Sequence, residues 1–224
     1  MVGENFEGEN WTGNRSKINF LSLYANGVKT DLSSALSEKK GDSLQFILPQ
    51  DGTALLVFSG LNSKIELDAV KFNAYLEEDG LKEAMEYRKQ HRETDSAGRE
   101  LYQRSVKTIF QVGKKYDSTC KKQTELPLDI IPISHPYEIK NGGRMTVQLI
   151  FDREPLVYTL ITIWHRENKK TFRQQMMTDE YGLAGFLVKK TGRWMVSAVK
   201  MVHLENNSEA NWQSYWASCT WGYE

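Results

Sequence analysis

Apolar and polar residues alternate along most of the chain with a period of two, the pattern of β-strands that bury one face. The clearest run is Met145 to Phe151, where every second residue is apolar. Turn signals such as Asn26-Gly27 and Asn141-Gly142-Gly143 separate the apolar runs. Short strands joined by such turns indicate antiparallel sandwiches and argue against a parallel βαβ core.

The first part of the chain predicts short strands after an irregular opening segment over residues 1–16. Each strand is an apolar run of a few residues that ends near a Gly, Asn, Asp or Pro turn. The predicted strands are Ile18–Leu23, Val28–Leu32, Leu44–Leu48, Ala54–Phe58 and Ile65–Leu67.

The pattern changes to helical spacing at Asp68, a residue type that caps helix N-termini well. Asp79-Gly80 ends this first helix, and a second one is predicted to run to about His91. Arg99–Arg104 predicts a further helical turn, followed by a strand over Ser105–Val112. We interpret residues 68–104 as a helical insertion packed on a β-sandwich.

Residues 113–125 are rich in lysine and lack apolar periodicity, which favours a solvated linker. The sequence therefore predicts a mainly β protein with two domains, at residues 1–117 and 126–224. Both are expected to be β-sandwiches of immunoglobulin-like or transthyretin-like size. The first strand of the second domain, near Leu128, should be an edge strand because Pro127 and Pro132 flank it.

Net charge and hydropathy narrow the class of protein. The 29 basic and 29 acidic residues give a formal charge of zero, which does not fit a non-specific nucleic-acid binder. No apolar run reaches the roughly eighteen residues of a membrane span. The polar start Met1-Val2-Gly3-Glu4-Asn5 predicts no signal peptide and, taken alone, a cytoplasmic chain.

The two cysteines are too few for a disulfide framework and too far apart for a CxxC motif. We expect two free thiols, with Cys219 packed in a strand and Cys120 exposed in the linker. A disulfide between them in an oxidising compartment is the alternative.

No HExxH, GxSxG, P-loop or GxGxxG motif occurs, so the chain is not expected to be an enzyme. The histidines, His91, His135, His165 and His203, are each expected at the surface or at a strand end. Most tryptophans are expected in the core, although carbohydrate stacking is an alternative. Trp194 in particular should be buried, because it alternates with Val196 and Ala198.

Several phrases of the sequence together suggest a family. They are Lys71–Leu76 with Gly80-Leu81, Gly98–Tyr102 with Arg104 and Lys107, Leu126–Ile130 with Pro132 and Pro136-Tyr137, and Trp212–Ala217. Between about Ser43 and Trp221 the chain resembles the NikM-like domain-of-unknown-function family of bacterial periplasmic proteins. Members of that family are often labelled as the periplasmic component of nickel or cobalt transport.

The resemblance implies a secreted, periplasmic or cell-envelope protein without an established activity. It implies a divalent metal ion, nickel or cobalt, as ligand, and an envelope transport or cell-surface protein as partner. It also implies a second half similar to carboxypeptidase-regulatory or collagen-binding B-type modules. Family members begin with a short His-acidic-Phe-Trp phrase that this chain lacks, so no metal role of that histidine carries over.

One candidate group lies in the phrase that follows Gly98. Its basic side chains could coordinate an anion, as could Lys71 and Arg88, but ordinary salt bridges explain them equally well. The group comprises Arg99, Tyr102, Arg104 and Lys107. Arg99 and Arg104 are expected to pin the helical insertion to its sheet.

A second candidate group follows from strand parity in the second domain. If every connection reverses the chain, alternate loops lie at the same end of the sandwich. Asp152, Glu154, Asp179 and His203 then gather at the end that faces the first domain, whereas His135 and His165 share the other end. Carboxylates and an imidazole could bind a divalent cation in an interdomain cleft, although the aspartates could equally serve only to shape turns.

The leading hypothesis is an envelope binding or accessory module for a divalent metal or a small solute. The alternative is a structural or adhesive β-sandwich that binds proteins and takes no small ligand. An enzyme ranks last because no catalytic pair can be placed.

Overall fold

The computed structural model describes residues 6, 15–36, 44–48 and 50–223, and they form a mainly β structure. The strands are β1 Ile18–Ala25, β2 Val28–Asp31, β3 Gly52–Gly60, β4 Ser63–Leu67, β5 Gly98–Val112, β6 Leu128–Pro132, β7 Gly143–Phe151, β8 Glu154–Pro155, β9 Leu160–Glu167, β10 Lys170–Met177, β11 Leu183–Val188, β12 Arg193–His203 and β13 Trp212–Gly222. The α-helices are α1 Ala69–Glu78 and α2 Lys82–Gln90, and short 3-10 helices span Arg15–Lys17, Ser33–Ala35 and Ser118–Lys121.

The strands form a large and a small sheet. The large sheet has the order β10-β9-β12-β13-β5-β3-β1-β2, with β4 paired to one end of β5. The small sheet has the order β11-β7-β6, with β8 paired to β7. Strand β6 is therefore an edge strand, as its flanking prolines predict.

The large sheet contains strands from both halves of the chain. Its halves join where β13 pairs with β5 in parallel, from Trp212 opposite Glu100 to Thr220 opposite Thr108. The other pairs in the sheet are antiparallel. The expected architecture of two separate sandwiches needs correction here, because one sheet runs across the predicted boundary at residues 113–125.

One face of the large sheet packs against the small sheet and forms the main core. Alternate residues of β12, such as Trp194 and Val196, point into it and meet Val147 and Phe186 of the small sheet. Trp194 is 6% exposed, which confirms its predicted burial.

The opposite face is covered at one end by the two helices. Phe72 and Leu76 of α1 pack there with Met201 of β12 and Trp212 of β13 in a second core. The Asp68 side chain accepts a hydrogen bond from the Lys71 N–H at 2.9 Å, so the predicted N-cap is confirmed. Neither helix of the described residues has the length and apolarity that a membrane-spanning helix needs.

Two predicted elements differ from the structure. Arg99–Arg104 is not a helical turn but the first part of β5, because it pairs with β4 on one side and β13 on the other. Residues 44–48 form no strand, and Phe46 instead packs edge-on against Phe110 at 5.7 Å. The predicted opening loop lies almost entirely outside the described residues.

Cys120 lies in the interior and is not exposed in a linker as expected. The 3-10 helix Ser118–Lys121 turns its side chain into the main core, where Cys219 is also buried. Both thiols are free, and burial raises the pKa of each to about 12.

Candidate functional site

The side chains of the candidate group after Gly98 lie on different faces of the large sheet, because successive side chains alternate along β5. Tyr102 and Arg104 lie on the helix-covered face, with the Arg104 guanidinium 5.7 Å from the centre of the Tyr102 ring. Lys107 points into the main core on the opposite face. Arg99 donates to Asn211 Oδ1 at 3.1 Å and so pins the β12–β13 connection rather than the helices. These residues therefore do not form one anion site.

The metal-site candidates share an end of the structure but not a face of the large sheet. Asp152 follows β7 on the side of the small sheet. Burial, together with the nearby charge of Asp152, raises the pKa of Tyr215. His203 lies on the other face, where its ring stacks on Tyr87 at 4.1 Å. The direction of a strand determines at which end of the sheet a residue lies, but it does not determine on which face of the sheet its side chain lies.

The two remaining acidic candidates have local roles. The Asp179 carboxylate accepts hydrogen bonds from the N–H groups of Tyr181 and Leu183, both at 2.9 Å, and so shapes a turn. Glu154 is exposed in the two-residue strand β8. Across the ranges that the structure describes, no three His, Cys, Asp or Glu side chains lie together as a metal site would require.

Two of the histidines expected at the surface or at a strand end are buried. His135 is 3% exposed and His165 is 7% exposed. The His165 ring stacks on Trp194 at 4.1 Å. His135 accepts the Tyr137 N–H on Nδ1, so its Nε2 carries the proton that points at Thr53 Oγ1, 2.9 Å away. Burial lowers the pKa of His135.

A cleft of about 650 Å³ opens between the β1–β2 hairpin and the segment that follows β5. We call it the basic cleft. It is lined by Tyr24, Ala25, Asn26, Gly27, Val28, Gln50, Lys115, Asp117, Ser118, Thr119, Lys121 and Lys122. The size is within the usual range for small-molecule sites of roughly 300–1,000 Å³.

The charge of the basic cleft comes from Lys115, Lys121 and Lys122, whose residues are all exposed. Within the described part of the chain, none of these ammonium groups lies in an ion pair with a carboxylate. The Lys122 ammonium instead lies 5.4 Å from the centre of the Tyr24 ring. Hydroxyl and amide groups of Ser118, Thr119, Asn26 and Gln50 add hydrogen-bonding capacity.

The carboxylate of Asp117 in the lining is occupied by the fold. It accepts the N–H groups of Thr119 at 2.8 Å and Thr53 at 3.1 Å, which caps the short 3-10 helix and holds the start of β3. Burial opposes ionisation of Asp117, but the bonds from Thr119 and Thr53 outweigh it and keep its pKa below the usual range. The carboxylate therefore supports the cleft wall as an anion.

A chain of hydrogen bonds runs from the interior to Lys115 in the cleft wall. Thr53 Oγ1 donates to Gln111 Oε1 at 2.9 Å, and Gln111 Nε2 donates to the Lys115 carbonyl at 3.1 Å. Because His135 contacts the same Thr53 hydroxyl, these hydrogen bonds connect Lys115 to a histidine in the interior.

An ion pair between Lys29 and Glu125 positions Tyr24, one of the residues that line the cleft. Glu125 accepts from Lys29 Nζ at 2.7 Å and from the Tyr24 hydroxyl at 2.7 Å. The Lys29 hydrogen bond, aided by Tyr24, lowers the pKa of Glu125 to about 2. Tyr24 is thereby held in place beneath Lys122.

A family model described as a domain of unknown function, DUF4198, matches residues 1–201. This is most of the chain. The chain belongs to the DUF4198 family. No curated protein and no solved structure matches it.

In this DUF4198 chain the basic cleft combines distant segments that the sequence did not connect. The lysine cluster of residues 114–122 and the Asn26-Gly27 hairpin are each visible as local patterns. Their juxtaposition depends on β1 and β5 both pairing with β3, and no local pattern indicates that pairing.

Proposed function

We propose that the chain is a binding module that holds a small anionic solute in the basic cleft. The observation that carries this proposal is a set of three lysine ammonium groups on the cleft wall, without carboxylate partners among the described residues. The three ammonium groups outnumber Asp117, the acidic residue of the lining, and a bound anion would balance the remaining positive charge.

The chemistry of the lining favours a hydrophilic solute with carboxylate or phosphate groups. Lysine binds such groups as a mobile point charge, and charge-assisted hydrogen bonds are stronger than neutral ones. The hydroxyls of Ser118 and Thr119 can donate to the same oxygens. Because the lysines are exposed, we expect modest affinity that weakens as ionic strength rises.

The test is a titration of inorganic phosphate, pyrophosphate and citrate into the protein, followed by calorimetry and thermal unfolding at constant ionic strength. A ligand that binds only the folded chain raises its stability by about 1.4 kcal/mol at ten times Kd. We expect at least one of these anions to bind and to stabilise the protein.

The matched comparison uses two double variants with the same change in charge. Lys121→Gln with Lys122→Gln should weaken binding at least tenfold, whereas exposed Lys64→Gln with Lys82→Gln should leave it unchanged. Absence of binding by all three anions would refute the proposal. So would equal losses in the two double variants, because a diffuse charge effect would then explain the binding.

An envelope setting and an accessory role in solute transport are part of this proposal, supported by the sequence phrases that carry the NikM-like resemblance. A divalent-metal ligand stays a separate prediction from the sequence, and the structure brings no three of Asp152, Glu154, Asp179 and His203 together to hold one. Titrating nickel, cobalt, zinc and calcium into the wild type and His203→Ala tests it. Identical binding by both proteins, or none by either, would remove His203 from consideration.

A further inference from the structure

A buried ion pair connects the two sheets through the main core. Lys107 projects from β5 of the large sheet and Asp129 from β6 of the small sheet. Each side chain is only 1% exposed, and the Lys107 ammonium contacts Asp129 Oδ1. Neither Lys107 nor Asp129 lines the basic cleft.

The surroundings of the pair are largely apolar. Lys107 lies opposite Val57 on β3 and opposite Cys219 on β13, and both neighbours are fully buried. Removing two charges from water into such surroundings carries a large desolvation cost, and their mutual attraction offsets this cost only in part. A reaction that removes both charges would therefore relieve the desolvation cost.

Hydrogen bonds from Thr124 hold one oxygen of the Asp129 carboxyl group. Asp129 Oδ2 accepts the Thr124 N–H at 2.8 Å and the Thr124 hydroxyl at 2.9 Å. Oδ1 has no hydrogen-bond partner among the described groups, although the Lys107 ammonium contacts it. The ammonium is oriented in turn by donating to the Lys122 carbonyl at 3.0 Å. Nitrogen and carboxyl carbon are thus confined together, the condition under which intramolecular reactions gain most.

We propose that Lys107 and Asp129 condense to an isopeptide bond between the two sheets. One ammonium proton passes to Oδ1, which leaves a neutral amine beside a carboxylic acid. The amine nitrogen bonds to Cγ, and the Thr124 donors stabilise the negative charge that develops on Oδ2. The bond from Cγ to Oδ1 then breaks, and Oδ1 takes a further proton from the nitrogen and leaves as water. One ammonium and one carboxylate become one amide and one water, so no oxidant or other reactant is needed.

The bond would join the layers covalently at the centre of the molecule. It would replace two buried charges with an amide that Thr124 and the Lys122 carbonyl can satisfy by hydrogen bonding.

The experiment is an intact-mass measurement of the purified full chain, followed by protease digestion and peptide sequencing. We expect a mass lower than the sequence mass by one water molecule, and a branched peptide that joins Lys107 to Asp129. Any fraction of molecules with both features supports the proposal. A full sequence mass throughout the sample would overturn it.

The control is the double variant Lys107→Met with Asp129→Leu, which fills the same core with apolar side chains of similar volume. This variant should have its own full sequence mass. If it also lacked one water, that loss would lie elsewhere, for example in a cyclised Asp51-Gly52 pair, and the branched peptide would decide: its presence in the wild type would support the proposal and its absence would overturn it. The wild-type peptide map shows whether the branched peptide exists even if the variant does not fold.

Discussion

At the scale of single residues, Trp194 shows how much one buried ring contributes. Its indole stacks on His165 at 4.1 Å and on Trp221 at 6.3 Å, and its Nε1 donates to the Lys189 carbonyl at 3.1 Å. Trp194→Ala would leave a cavity between the sheets and should lower the free energy of unfolding by about 3–5 kcal/mol. Denaturant unfolding measures this loss of free energy.

The control is Leu187→Ala on β11, where Leu187 is 69% exposed. This variant should change stability by no more than about 0.5 kcal/mol. A loss at Trp194 as small as the control's would contradict the described packing.

The burial of a residue can be predicted from the sequence for an apolar side chain such as Trp194, but not for a polar one. Burial of Trp194 follows from its alternation with Val196 and Ala198, because the apolar face of a strand packs against the core. Lys107 and His135 are polar, and polar side chains are generally buried only where a hydrogen-bond or ion-pair partner is present. Those partners, Asp129 and Thr53, come from other strands, so the pattern around each residue contains no signal.

At the scale of elements, α1 is seated on the parallel pair of β5 and β13. Phe72 of α1 lies so close to Gly98 that a Cβ there would overlap its ring. Tyr75 stacks on Trp216 with ring centres 5.5 Å apart. The phrases around Lys71, Gly98 and Trp212, noted in the sequence as separate motifs, therefore meet at one helix–sheet contact. The sequence predicted the helix of the first phrase and the strand of the third, but neither the strand at Arg99–Arg104 nor the parallel pairing that brings the three together.

A buried carboxyl group under α1 makes this contact sensitive to pH. Glu100 is 2% exposed and accepts from the hydroxyls of Ser214 and Tyr75, and burial raises its pKa above 4.5. Above pH 4.5 the unfolded chain ionises first, so this group costs stability progressively until pH passes its folded pKa. Glu100→Gln should therefore be more stable than the wild type at neutral pH, with a gain that shrinks towards pH 4.5.

The comparison is a set of unfolding curves between pH 4.5 and neutral pH for the wild type, Glu100→Gln and Glu66→Gln. Glu66 is exposed on β4, so its substitution removes the same charge without the burial and should leave the pH profile unchanged. A Glu100→Gln profile parallel to that of the wild type would show that ionisation of Glu100 does not act on folding.

At the scale of the whole molecule, the shared sheet decides how the halves depend on one another. The sequence correctly indicated strand-rich halves and placed both α-helices within residues 68–104. It indicated a boundary because the lysine-rich segment lacks periodicity. However, Cys120 from that segment fills the main core, and β13 closes the sheet against β5 from the first half. A chain can thus lose its apolar pattern briefly without leaving the core.

This arrangement predicts that neither half folds alone. A fragment of residues 126–224 would expose the long edge of β13 that β5 normally pairs, and it would leave Asp129 buried without Lys107. Loss of one partner of a buried pair costs about 3–5 kcal/mol, a large share of the stability of a small domain. A fragment of residues 1–125 would lose the small sheet that covers the core face of β3 and β5. We expect the full chain to give a dispersed amide NMR spectrum and each fragment a collapsed one, with dispersion restored when the fragments are mixed. A dispersed spectrum from residues 126–224 alone would instead support an independent second domain, with the contact between β5 and β13 as a docking of two finished folds.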